Sequence, residues 1–326
     1  MFYPGLTRRF KSNRPLSFDD QKGHVEQKKE SCYISTELID DMSFIKINST
    51  FIEVVDPYYK DRGGFTLVAL LFLSFVLYAL CSDLYNIFTK NINLYFGLWV
   101  FTPLALLCIW GLTRESFTYT HFPIRFNRKK KLVHVFHVGG RVETYGWDEL
   151  YFTIIPAVQG FEGRKWYLCA YRVAEDGYTV EDTFCVSMYS SDEEDVRLFW
   201  ELIRRYMEQK DGARQAADLA WMFLPIAEKR ESFMFGFFAL IVRGGNWPMQ
   251  LIMLPWVGPQ ALARWFSMVT SRIPHWPEEV EQECEISKTD VYRYDSHSPR
   301  LKKFTHYMFP WRLKEYTTVA GKKRVR

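Results

Sequence analysis

The chain has 326 residues, 48% hydrophobic and 17% aromatic, with 42 basic and 38 acidic side chains and a net charge of +4. A mean hydropathy of −0.19 excludes a protein built mostly of membrane spans, and the aromatic share excludes a disordered chain. Six cysteines with no CxxC pair fit reduced thiols better than a disulfide scaffold.

Residues 1–63 read as a cytosolic N-terminal arm in which ten cations balance ten anions. Its basic, aromatic start lacks the apolar core of a cleaved leader, so the first apolar stretch is expected to act as an internal anchor. Ile34–Asp56 shows strand-like alternation, in FIKINSTFIEVV. The pattern is compatible both with docking on the later domain and with a loosely held arm.

Gly64–Cys81 and Leu94–Leu112 follow, and neither carries a charge. At 1.5 Å per residue each helix would be about 27–29 Å long, close to the thickness of a bilayer core. The sequence therefore predicts a transmembrane helical hairpin over 64–112, with spans 64–81 and 94–112, against a buried hairpin in a soluble core. Lys46, Lys60 and Arg62 precede the first span. Arg114, Arg125, Arg128, Lys129, Lys130 and Lys131 follow the second, whereas Lys90 is the one cation in the loop Ser82–Asn93. The positive-inside rule then puts both flanks, and so both termini, in the cytoplasm.

From 118 to 210 the period changes. Leu132–Val138 and Val142–Tyr145 read as a hairpin about Gly139-Gly140. Tyr151–Val158, Lys165–Val173 and Thr183–Tyr189 read as further strands. Ser190 and Ser191 each have a glutamate three residues on, the spacing of a capping box. Val196, Phe199, Trp200, Ile203 and Met207 then form one helical stripe. Antiparallel strands closed by one amphipathic helix predict a pleckstrin-homology-like β domain, so the fold class is a membrane α+β protein. Residues 211–290 are expected to form a helical subdomain at the membrane surface. Its apolar run Phe233–Val242 is too short to span, Asn246-Trp247-Pro248 and Leu254-Pro255-Trp256 break the chain after it, and a helix restarts at Pro259. Residues 291–326 make a basic, aromatic tail.

Chemistry is harder to find. His134 and His137 stand three apart in a strand, so they point to opposite faces and make no metal pair. Each reads as solvated or hydrogen-bonded. His275 and Cys284 lie among Glu278, Glu279, Glu281 and Glu283 but lack the tight ligand spacing of a zinc site. No phosphate loop, nucleophile elbow or zincin motif is present. No catalytic residue, metal ligand or cofactor is expected. An enzyme would need a site assembled only in three dimensions, near Cys169, Cys185 or His137. The positive signal is the basic set Arg125, Arg128, Lys129, Lys130 and Lys131, with Lys302, Lys303, Lys322, Lys323 and Arg324 in the tail. Cations near a membrane bind anionic headgroups at about 1 kcal/mol each. For a chain already anchored, lipid is a nearer target than nucleic acid.

HFPIRFNR (121–128), KLVHVF (131–136), YGWDEL (145–150) and SRIPHWPEE (271–279) together resemble a family of bacterial two-span membrane proteins. The resemblance runs from about Phe51 to Cys284. Members are similar to proteins encoded beside type VI secretion effectors in Gram-negative bacteria. The Trp147-Asp148 step also resembles bacterial pleckstrin-homology-like domains that follow paired membrane helices. The resemblance implies an inner-membrane, non-enzymatic immunity or accessory protein that binds a cognate toxin or a secretion component. It brings no catalytic residues. The alternative is a lipid-binding module for envelope homeostasis.

Overall fold

The computed structural model describes residues 10–29, 38–90, 96–158, 163–220, 223–241, 247–298 and the short strands at 316–317 and 323–324. In chain order these form β1 (Arg14–Pro15), α1 (Phe18–Lys22), β2 (His24–Val25), β3 (Phe44–Ile47), β4 (Phe51–Val54), α2 (Gly64–Lys90) and α3 (Phe96–Glu115). Next come β5 (Ile124–Asn127), β6 (Leu132–Phe136), β7 (Val142–Gly146), β8 (Leu150–Val158), β9 (Arg164–Val173) and β10 (Thr179–Ser190). The rest are α4 (Glu193–Glu208), α5 (Gly212–Leu219), α6 (Phe233–Ile241), α7 (Trp247–Thr270), α8 (Glu278–Glu283), β11 (Tyr316–Thr317) and β12 (Lys323–Arg324). The chain divides into a two-sheet unit (1–59, 121–230 and 273–326) and a helical unit (60–120 and 231–272).

The two-sheet unit holds two five-stranded antiparallel sheets, ordered β1-β10-β9-β8-β2 and β3-β4-β5-β6-β7. Phe44, Ile52, Phe126, Trp147, Phe152, Val186, Phe199 and Trp200 meet in its main core. Trp147 is fully buried and stacks on Trp200 at 5.7 Å. Its indole N–H donates to Glu208 over 2.6 Å. All five residues of the predicted α4 stripe are in this core.

Three expectations need correction here. The β domain does not begin at residue 118, because the arm supplies β1 to β4, two strands to each sheet. The arm is fastened by chemistry as well. Ser17 and Asp20 cap α1 reciprocally, and Asp20 accepts from Tyr171 over 2.6 Å while pairing with Arg14. The cap of α4 is Asp192, whose side chain accepts from the Glu194 N–H, rather than a serine. Residues 211–290 do not form one subdomain: α5 and α8 belong to the two-sheet unit, and α6 and α7 to the helical one.

On β6, His134 has no exposed side-chain surface. Burial disfavours its imidazolium more than Glu283 favours it, and its pKa falls from 6.5 to about 4. A neutral buried histidine must be charged when the pH drops. Stability present above pH 6.5 is therefore lost as pH falls through about 4, by up to about 3 kcal/mol. Unfolding of the full chain in detergent, followed between pH 4 and 7, should show this slope, and His134→Asn should flatten it. An unchanged slope in the variant would show that other groups carry it.

In the helical unit, α2 and α3 pack on each other, α6 packs on α7, and α7 on α2. The two ends of the hairpin close reciprocally. The Glu115 carboxylate accepts from the N–H groups of Gly63 (2.8 Å) and Thr66 (2.6 Å), capping the start of α2. Arg62 in turn donates to the Glu115 carbonyl (2.6 Å) at the end of α3. Each charge sits where the helix dipole favours it. Gly63 has φ +93°, and a Cβ there would fall 2.5 Å from the Arg264 backbone nitrogen, so glycine is required. Arg264 and Glu231, both 1% exposed, pair at 2.5 Å.

Helix boundaries also depart from expectation. The first apolar helix continues through Leu84, Tyr85 and Phe88 to Lys90, absorbing most of the expected loop. Residues 91–95 lie outside the described set. Helix α7 runs straight through Pro255 and Pro259, which the sequence reads as a break and a restart. A proline removes one helix hydrogen bond and strains the turn before it. Burial of Val257 and Ala261 against Leu240 of α6 offsets that cost. The expected break at Asn246 lies outside the described residues. Among the described residues one helix, 64–89, is long and apolar enough to cross a membrane.

Candidate functional site

The β6–β7 hairpin turns through Gly139 and Gly140, both at positive φ (102° and 90°), as the glycine pair predicts. The His137 N–H donates to the Arg141 carbonyl (2.8 Å) and closes the turn. Side chains alternate along each strand. This puts His137, Arg141, Glu143 and Tyr145 on one face, while His134 meets Thr144 on the other, 2.9 Å apart. From the other sheet, β10 brings Asp182 and Thr183 beside an irregularity in its register between Val180 and Asp182. Such irregularities re-aim side chains. His137, Arg141, Glu143, Asp182 and Thr183 line a cleft of about 580 Å³ with walls that include Phe122, Ile124, Val135 and Phe184.

The polar groups converge tightly. The Tyr145 hydroxyl donates to Glu143 and lies 2.7 Å from Asp182. His137 Nε2 is 3.2 Å from the same hydroxyl and 3.4 Å from Glu143. Arg141 reaches Glu143 at 3.2 Å and Asp182 at 3.3 Å from the solvent side. Tyr145 stacks on Phe184 at 5.5 Å, which fixes its ring. Burial holds the His137 pKa below its ordinary value despite the nearby Asp182 and Glu143. Burial also pushes the Tyr145 phenol up, and its hydrogen bonds to the two carboxylates add to this. Burial opposes ionisation of Asp182, but hydrogen bonds from Tyr145 and with Glu143 outweigh it and hold the carboxyl below its usual range. At neutral pH the cleft thus offers a neutral imidazole, an ionised Asp182 and a neutral phenol.

The basic residues singled out from sequence fall elsewhere. Arg125 is 2% exposed, and the lipid-contact reading of it is wrong. It pairs with Glu53 at 2.7 Å and Glu281 at 3.2 Å, and lies over the rings of Phe51 and Trp276 at 4.3 and 4.9 Å. Arg128 donates to the Gln209 carbonyl (2.6 Å). Lys131 donates to the Met207 carbonyl (2.6 Å) and to Glu208 (2.8 Å), satisfying the C-terminus of α4. Lys129 and Lys130 are exposed, the latter 3.4 Å from Glu283. Lys302, Lys303 and Lys322 lie outside the described residues, and Lys323 and Arg324 form β12. Cys284 is buried beside Phe51 and Val280, and Glu281 and Glu283 are engaged by Arg125 and Lys130. Cys169 and Cys185 face each other across β9 and β10 with sulfurs 2.9 Å apart.

The cleft was partly foreshadowed by His137, but its carboxylates were not read. His137, Glu143 and Tyr145 share a face by simple alternation about the glycine turn, which is a legible signal. Asp182 is not, because only the meeting of the sheets brings it in. Neither the curated proteins nor the solved structures yield a match to this chain. Residues 101–288, which include His137, Arg141, Glu143, Tyr145 and Asp182, match DUF6708, a family of unknown function, and the chain belongs to that family.

Proposed function

We propose that the protein is a membrane-anchored binding protein, with α2 and α3 crossing the inner membrane as a hairpin and the two-sheet unit lying in the cytoplasm with both termini. The observation that carries this reading is a strand pairing. Val54 of β4 and Ile124 of β5 are hydrogen-bonded neighbours, yet the whole segment holding α2 and α3 lies between them in sequence. A chain that leaves and re-enters one sheet at adjacent strands crosses a bilayer an even number of times. If the apolar helix 64–89 crosses, α3 returns. Exposed Leu71, Phe72, Phe75 and Tyr78 on α2, and Trp99, Leu106 and Leu107 on α3, support lipid contact.

The meanders β4–β7 and β8–β10 followed by α4 support a pleckstrin-homology-like reading of the head. Its partner in this proposal is a protein, a type VI toxin or secretion component, which it neutralises by covering the toxin's site. The internal pairing of Arg125, Arg128 and Lys131 weakens the lipid-binding alternative.

Alkaline carbonate washing should leave the full chain in the membrane fraction, and release into the supernatant would refute the anchor. Co-expression with the product of the adjacent effector gene should give co-purification and restore growth. Cells that die equally with and without this protein would refute the immunity role.

A further inference from the structure

We propose that α6 and α7 form a hairpin sunk into the bilayer that α2 crosses, entering and leaving it on the side where α2 begins, with lipid acyl chains covering its exposed face. The inference rests on the membrane-anchored reading and extends it. Residues 232–263 contain one charged side chain, Arg243. A helix lying on a membrane surface keeps a charged face toward water, and this segment has none to offer. Its apolar side chains are not spent on a protein core either. Leu251, Ile252, Trp256 and Leu262 on α7, and Met234 on α6, are each more than half exposed. Val257 and Ala261 take the opposite side of α7, against Leu240 of α6. A water-facing surface rarely carries so broad an apolar patch.

Both ends of the segment are pinned at the base of the α2–α3 pair. Glu231, just before α6, pairs with Arg264 of α7. Arg264 Nη1 donates to the carbonyls of Lys60 (3.2 Å) and Arg62 (3.4 Å), immediately before α2. Ser267 Oγ donates to the Glu115 carbonyl at the end of α3 (2.9 Å). From Arg264 back to Trp247, α7 is about 26 Å long, and α6 is about 14 Å long. Neither arm spans a bilayer core of about 30 Å, so a segment that starts and ends at this level dips in and returns. Aromatic rings mark the same level. Trp265 stands beside Arg264, and Trp110 of α3 lies under Arg114 at 4.6 Å, both partly exposed, as rings at a membrane–water interface are.

The test uses the full-length protein in vesicles of phosphatidylethanolamine and phosphatidylglycerol, loaded with a lipid-soluble aryl diazirine whose carbene labels side chains in contact with acyl chains. Labelled peptides are mapped by mass spectrometry. Phe18, exposed in the two-sheet unit, gives the background above which label is counted. Label is expected on α2 and, at a comparable level per exposed side chain, on α6 and on α7 between Leu251 and Leu262. Label on α2 with only background on α6 and α7 overturns the hairpin while leaving the anchor standing, and cross-linking would then show whether a second copy of the chain covers the face. Background label on α2 as well overturns the anchor and this inference with it. A second measurement tests the return to the same side. Trypsin added outside spheroplasts should not cut after Arg243, and cleavage there would mean that the segment crosses, which overturns the proposal.

Discussion

Arg125→Met should cost the two-sheet unit about 3–5 kcal/mol, because it leaves the Glu53 carboxylate buried without its counter-charge. The pair is closed from every side: Arg125 is 2% and Glu53 4% exposed. Phe51 and Trp276 flank the guanidinium, and Glu281 binds it from the rim. Desolvation works against the charge, but the carboxylates of Glu53 and Glu281 outweigh it and raise the Arg125 pKa above its ordinary value. Replacing both partners separates the pair's own value from the cost of orphaning one charge. Glu53→Leu with Arg125→Met should recover most of the loss, since apolar replacements of a buried pair are often neutral. Denaturant unfolding of the full chain, read by tryptophan fluorescence, distinguishes the cases. A single variant as stable as the parent would show that the pair contributes nothing.

Trp147→Ala should be comparably damaging, at about 3–5 kcal/mol, because it empties the centre of the core. The indole touches Trp200, Phe152 and Phe126, with ring centres 5.7, 5.0 and 6.0 Å away. Those rings come from α4 and both sheets and cannot all collapse into the space. The indole N–H also holds Glu208, which in turn holds Lys131. Trp147→Phe fills most of the volume but breaks that hydrogen bond, so its loss should be clearly smaller. Near-ultraviolet circular dichroism during thermal unfolding reads both variants. Equal melting of Trp147→Ala and the parent would mean that the core is not centred here.

The strands were readable because runs of strand-forming residues stand between turn residues. From β6 to β10 such runs, split by glycines, locate each strand within a few residues, although β9 and β10 bury both faces at their centres. What alternation cannot supply is the partner. The arm's Ile34–Asp56 reads as strand, but nothing local reveals that Ile52 lies opposite Phe126. Arg125 was misread for the same reason. It stands next to a run of exposed lysines, and the Glu53 that buries it is distant in sequence. Prolines misled in α7, because the local penalty is real and only tertiary packing outweighs it. In the cleft the hairpin face was legible and Asp182 was not. A cluster that spans two sheets is invisible until both sheets exist.

The pairing of Val54 with Ile124 has a consequence for biogenesis. During synthesis β4 emerges from the ribosome as a bare edge, and its neighbour follows only after the entire helical segment between them. Bare edges invite pairing with other chains, and contacts distant in sequence form late. The sheet therefore has a waiting period set by how quickly translation and targeting deal with the greasy insert. Slowing that step should expose the nascent edge to chaperones and proteases, even though no residue of the sheet has been altered.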